Sequence, residues 1–200
     1  MAKLESNFKN MVLVLTLISL VASLALASVY ELTKAPIEAA KKAKKEQAIK
    51  EVLPAFDSME AEMLVKVDGY ADSLKVTKAK KNNVFVGAAV ETYSMNAFSG
   101  QIKVMVGFDA EGKIVNYAVL EQKETPGLGT KMVDWFKTDK GNQDIRGKHP
   151  VMNNLSVSKD GGEVDAITAS TISSRAFLES VRLAYDAYLQ TANNDSTKQQ

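Results

Sequence analysis

The chain has 200 residues, 46% of them hydrophobic and 24% charged, with a net charge of +1, which is the profile of one globular domain with a little chain to spare. A near-neutral balance argues against nucleic acid as a partner, since such binders concentrate basic charge. There is no cysteine and a single histidine, His149, so disulfides, thiolate metal sites, iron–sulfur ligation, a cysteine nucleophile and a histidine-rich metal site are all excluded.

"MVLVLTLISLVASLALASV", from Met11 to Val29, carries no charge, proline or glycine. As a helix it is roughly 28 Å long, close to the hydrocarbon thickness of a bilayer. It reads as an uncleaved, single-pass anchor after a short segment, 1–10. The alternatives are a buried core helix and a signal peptide, the latter with Lys3 and Lys9 as its basic region and Ala25-Leu26-Ala27 at the cleavage site. Lys3 and Lys9 favour a cytoplasmic amino terminus, whereas Lys34, Lys41, Lys42, Lys44 and Lys45 favour the reverse, so charge alone leaves orientation open.

The region 30–54 predicts a juxtamembrane helix. Pro36 suits a first turn, Pro54 a stop, and the Ala, Lys and Glu between them favour helix. Glu38/Lys42 and Glu46/Lys50 are spaced to support it. This helix reads as a solvated stalk or as a basic face against lipid headgroups.

A domain at 55–191 follows. "DSLKVTKAK" predicts an extended piece, and 84–93, 101–109 and 113–122 predict strands. The last two alternate with period two and form a hairpin across "AEG". "ETPGLG" (124–129) breaks the strand, Met132 to Phe136 starts a short helix, and 138–163 reads as loops with one short strand near 155–157. A final helix from about Thr171 places Phe177, Val181, Ala184, Tyr185 and Tyr188 on one face. The tail 192–200 reads as disordered. The fold class is α+β: an apolar amino-terminal helix, then an antiparallel sheet flanked by helices.

Two stretches carry chemistry. "DAITASTISSRAF" (165–177) puts several hydroxyls at a helix start, where free backbone N–H groups and the macrodipole favour an anion. Asp165, Thr168 or Ser170 could cap that helix, and from the residues alone a Ser/Thr-rich cap accounts for the stretch more readily than a phosphate site does. "ETPGLG" is a turn whose glycines also permit close approach to a flat ligand.

Taken together with the anchor and hairpin, these stretches resemble the FMN-binding domain of the G subunit of the Rnf electron-transport complex, shared with the C subunit of the sodium-translocating NADH:quinone reductase. The resemblance covers about residues 8 to 190, and "GFDAEGKIVNYAVLEQKETPGLG" fits the Rnf protein especially well. It implies a motif of Asp165, Thr168, Thr171 and Ser173, with a flavin transferase moving FMN from FAD onto Thr171 as a phosphoester. The family's Gly-Ala pair is Ala169-Ser170 here, which sets a second hydroxyl beside Thr171.

The resemblance further implies that Glu124, Thr125, Gly127, Leu128 and Gly129 pack against the flavin, with Lys131 a further candidate whose other reading is a solvated surface lysine. It implies no catalytic residue and no metal. The chain would be an electron-relay subunit without independent turnover, in an inner-membrane complex that couples ferredoxin/NAD electron transfer to ion translocation. Its partners would be the other subunits, the flavin transferase and the bilayer, with the flavin domain on the periplasmic side. The alternatives are a stand-alone flavin shuttle, the quinone-reductase subunit, or a non-redox domain on a membrane stalk, for which the Ala169-Ser170 departure speaks.

Overall fold

The structure is a computed structural model that describes residues 7–68 and 70–196. The chain divides into two units at Lys44/Lys45.

The first unit is helical. It belongs to helix α1, Phe8–Val52, which has Pro36 inside it. The expectation of a separate helix beginning at Pro36 is therefore corrected. Proline removes one hydrogen bond and costs about 3 kcal/mol inside a helix, but strong helix formers on both sides carry the helix through. Among the described residues α1 is the one helix long and apolar enough to cross a membrane, and none of its most apolar window is buried. Its hydroxyls bond to the preceding turn, as Thr16 does to the Val12 carbonyl and Ser23 to that of Ser19, so the helix faces its surroundings with few open polar groups.

The second unit is built on a six-stranded antiparallel sheet. Its strands are β1 (Ser58–Met59), β2 (Met63–Val65), β3 (Leu74–Lys81), β4 (Val84–Ala97), β5 (Gly100–Asp109) and β6 (Ile114–Glu121). The order is β1-β3-β4-β5-β6, with β2 also paired to β3. Asn82 and Asn83, both at positive φ (52° and 64°), form the tight turn between β3 and β4, a conformation that asparagine tolerates and that suits strand twist. β1 and β2 were not legible in the sequence, because two or three residues carry no period.

Alternation along the strands gives the sheet two apolar faces. On one, Val76, Val90, Val104, Val106 and Phe108 pack beneath helix α3 (Thr171–Ser196) through Phe177, Val181, Ala184 and Tyr188. On the other, Ala79, Ala89 and Met105 receive the last turn of α1 and its continuation, Ala48, Ile49, Val52 and Leu53. Alanines on the sheet and Gly107, where a Cβ would overlap the Val52 carbonyl oxygen, let this turn come close.

Helix α2 is short, Met132–Trp135, and follows a 3-10 turn at Gly129–Lys131. Near 155–157 there is no strand; Val157 makes an isolated parallel bridge with Val164, and a 3-10 turn follows at Ser158–Asp160. Helix α3 continues through 192–196, part of the expected disordered tail, while 1–6 and 197–200 lie outside the described residues.

Candidate functional site

A cleft of about 330 Å³ opens where three segments converge. The β4–β5 turn brings Phe98, the loop after β6 brings Glu124, Thr125, Leu128 and Gly129, and the start of α3 brings residues 169–173. The volume falls in the range of small-molecule sites.

The start of α3 explains why its hydroxyls are not equivalent. Ser170 supplies the first helical acceptor, its carbonyl taking the Ser174 N–H at 3.0 Å. Ser174 is fully buried; its hydroxyl donates to the Ser170 carbonyl at 2.9 Å and accepts the Ile167 N–H at 2.9 Å. Ser173 is 2% exposed and donates to Oε2 of Glu124. Thr171 is half-buried, lines the cleft, and its hydroxyl has no hydrogen-bond partner among the described residues. The backbone N–H groups of Thr171, Ile172 and Ser173 likewise find no acceptor there, as expected for a helix's first turn.

Ala169 precedes this turn at φ 61°, the left-handed region. A non-glycine residue there costs about 1–2 kcal/mol. The local backbone is the one a glycine would adopt freely, with a methyl added.

Glycines in ETPGLG have separate reasons. Gly127 has φ 76° in a tight turn in which Leu128 N–H donates to the Thr125 carbonyl and Gly127 N–H to the Thr130 hydroxyl. Gly129 is needed for space: a Cβ would overlap Oε2 of Glu124 and sit 2.8 Å from Ser173 Oγ.

The residues expected from sequence divide into two groups. Thr171, Ser170, Ser173, Glu124, Thr125, Leu128 and Gly129 line the cleft; Asp165, Thr168, Gly127 and Lys131 do not. Asp165 works as a loop fastener. Its carboxylate accepts the Asn142 N–H at 2.9 Å and the Ser158 hydroxyl at 3.4 Å, and its carbonyl accepts the Trp135 indole N–H at 2.9 Å. Thr168 and Lys131 are exposed. None of the three expected caps reaches the helix: Ser174 makes the side-chain bonds at its start instead.

Two lining residues escaped the sequence reading. Phe98 is 69% exposed, and Ile172 is also exposed; with Leu128 they give the cleft an apolar wall. A lone exposed aromatic near a hairpin tip was the available signal for Phe98.

One turn beyond Thr171, Arg175 holds Asp160 through Nε at 2.7 Å and Nη2 at 2.8 Å, and this pairing keeps the Asp160 carboxyl below its usual range. Tyr117 donates to the Met132 carbonyl at 2.7 Å, fixing α2 beneath the loop; burial pushes its phenol well up. Among the described residues no group of three or more acidic or histidine side chains is placed to hold a metal.

The sheet-and-helix fold with this cleft is that of an FMN-binding domain, whose family profile matches residues 97–186. The chain is 36% identical over 151 residues to the G subunit of the ion-translocating oxidoreductase complex of Yersinia pestis, covering 70% of each chain. It is 31% identical over 195 residues to the corresponding protein of Aliivibrio fischeri strain MJ11, covering 90% of this chain and 89% of that one. The chain belongs to this family, the G subunits of ion-translocating oxidoreductase complexes.

Proposed function

We propose that this chain is the electron-relay subunit of a membrane-bound Rnf-type oxidoreductase, holding FMN through a phosphoester on Thr171. The observation that carries this reading is the contrast among the hydroxyls at the start of α3. Ser173 and Ser174 are committed to buried hydrogen bonds, while Thr171 presents an unengaged hydroxyl to the cleft.

The residues fit the group. The unbonded N–H groups of α3 and its dipole suit a phosphoryl group. Phe98, Leu128 and Ile172 would offer apolar surface to a flat ring, and Thr125 would add a polar contact. Bound flavin supplies one- and two-electron transfer, linking partners of either kind. The chain's own residues anchor and orient that group and shield part of it from water. No side chain is assigned a proton-transfer role, so turnover belongs to the complex, which couples ferredoxin/NAD electron transfer to ion translocation. A phosphoester on Thr171 would secure the cofactor, and the residues lining the cleft would tune its potential.

Helix α1 anchors the chain in the inner membrane, with the flavin domain on the periplasmic side, where a flavin transferase loads it. A covalent tether suits a compartment in which lost flavin is not readily recovered.

The chain is co-expressed with a flavin transferase and run on a denaturing gel under ultraviolet light. Fluorescence is expected to travel with the chain and to vanish in Thr171→Ala; a dark wild-type band overturns the covalent reading. For orientation, the absence of native cysteine makes Lys140→Cys a clean probe. A membrane-impermeant maleimide should label it in intact spheroplasts, and labelling only after lysis would reverse the assignment.

A further inference from the structure

Three hydroxyls line the cleft, on Ser170, Thr171 and Ser173. As phosphoryl acceptors they are chemically close, yet Ser173 is held apart. It donates to Oε2 of Glu124, a residue 49 positions away in sequence and itself only 4% exposed. Oε1 of Glu124 accepts the Ser99 N–H at 2.7 Å, so the carboxylate is braced from the β4–β5 turn and loses that bond if it swings away. Gly129 completes the arrangement, because any side chain there would drive the carboxylate and the Ser173 hydroxyl apart.

We infer that Glu124, braced by Ser99 and admitted by Gly129, withholds Ser173 from the flavin phosphoryl group and so keeps it from competing with Thr171. The inference rests on the attachment reading above. Glu124 is a positioning residue here: both of its oxygens are occupied by protein groups, and it acts through Ser173.

In the step it governs, Thr171 Oγ forms a bond to the flavin-side phosphorus of FAD. The bridging P–O bond breaks, adenosine monophosphate leaves with the bridging oxygen, and the hydroxyl proton is released. No electrons change hands. Any of the three hydroxyls satisfies this balance, so the choice between them is made by access. A carboxylate can also activate a hydroxyl that it holds. At Ser173 access decides the matter, because the residue is 2% exposed and its hydroxyl is turned onto Glu124.

The test uses the full-length chain co-expressed with the transferase, with the label located by peptide mass mapping and folding checked by thermal melting. Thr171→Ala alone should be unlabelled. Combined with Glu124→Ala it should carry label on Ser173, within about tenfold of the wild-type level, since a hydrogen bond to a charged group is what has been removed. Gly129→Ala, which displaces the carboxylate without deleting it, should do the same in the Thr171→Ala background. Glu124→Gln in the same Thr171→Ala background keeps an amide against Ser173 and should leave Ser173 unlabelled, a rescue that a purely structural role would not tie to label position. The inference is overturned if folded Thr171→Ala/Glu124→Ala and Thr171→Ala/Gly129→Ala both carry no label on Ser173; should the Glu124→Ala pair not fold, the Gly129→Ala pair decides alone. Wild type without label on Thr171 defeats the attachment reading itself, whatever the variants do.

Discussion

The carbonyl oxygen of Val52 occupies the space that a Cβ on Gly107 would need. The end of α1 thus meets β5 backbone to backbone, with Asn116 Nδ2 donating to the Glu51 carbonyl at 3.2 Å and Lys137 pairing with Glu51 at 2.9 Å beside it. Gly107→Ala forces these elements apart. A loss of about 3 kcal/mol is expected, the upper range for overpacking. Thermal melting of the full chain in mild detergent should register it at roughly 2–4 °C per kcal/mol. An unchanged melt would mean that the contact yields freely.

Ala169 holds a backbone conformation that suits glycine. Ala169→Gly relieves about 1–2 kcal/mol of local strain and returns part of it as unfolded-chain entropy, so a net gain of about 0.5–1 kcal/mol is expected. Labelling of Thr171 should persist. Ala169→Val, with a branched side chain at positive φ, should lower both the melting temperature and the labelled fraction.

Phe98 stands exposed at the rim of the cleft. Under the proposed attachment at Thr171, Phe98→Ala should leave the labelled fraction intact. It should shift the ring from docked to undocked by about 1 kcal/mol, roughly fivefold, the value of an aromatic contact. Flavin fluorescence in the folded protein, brighter and more easily quenched by iodide than in wild type, measures this. Equal quenching in both would remove Phe98 from the ring's surroundings.

Stability should fall on acidification. Burial raises the Glu62 carboxyl, but the hydrogen bond and charge of Lys45, with Lys75, outweigh it and hold the group below 4.5. Asp144 is held below 3.8 in the same way, Arg146 overcoming desolvation. Carboxyls depressed by folding stabilise above their unfolded pKa and lose that contribution as pH falls through the folded value. Asp186 acts oppositely, since burial raises its carboxyl and protonation relieves it. The melting temperature should be level from pH 7 to about 5 and decline below about 4.5, with Glu62→Gln showing a shallower decline. On the alkaline side, burial pushes Tyr188 up from 10 to about 12. The unfolded chain ionises first, so stability should also decline above about pH 10.

Much of the fold was legible because period two and period 3.6 were strong where the chain is longest in one state. β3 to β6 and the buried face of α3 follow from alternation and i, i+4 spacing. Pro36 misled because a single residue's local rule was set against the long flanking stretches that favour helix. In the site, a helix start near Thr171 could be read from the sequence, but the sorting of its hydroxyls could not. That sorting depends on Glu124, placed by a loop after β6, and on Ser99, placed by a hairpin turn; both relationships exist only once the sheet has formed. Asp165 shows the converse, a residue in the motif that the folded chain spends on fastening loops.

The turn of α1 that covers the sheet has a bearing on proteolytic release. Ile49, Val52 and Leu53 are buried against Ala79, Ala89 and Met105. At about 1.5–3 kcal/mol for each large side chain, their burial is comparable with the whole net stability of an ordinary domain. A protease that cuts before Lys45 would liberate a soluble domain with both sheet faces covered. One that cuts just after Leu53 would leave an adhesive, half-bare sheet. The boundary of a well-behaved fragment therefore lies inside the long helix, well before the proline that ends it.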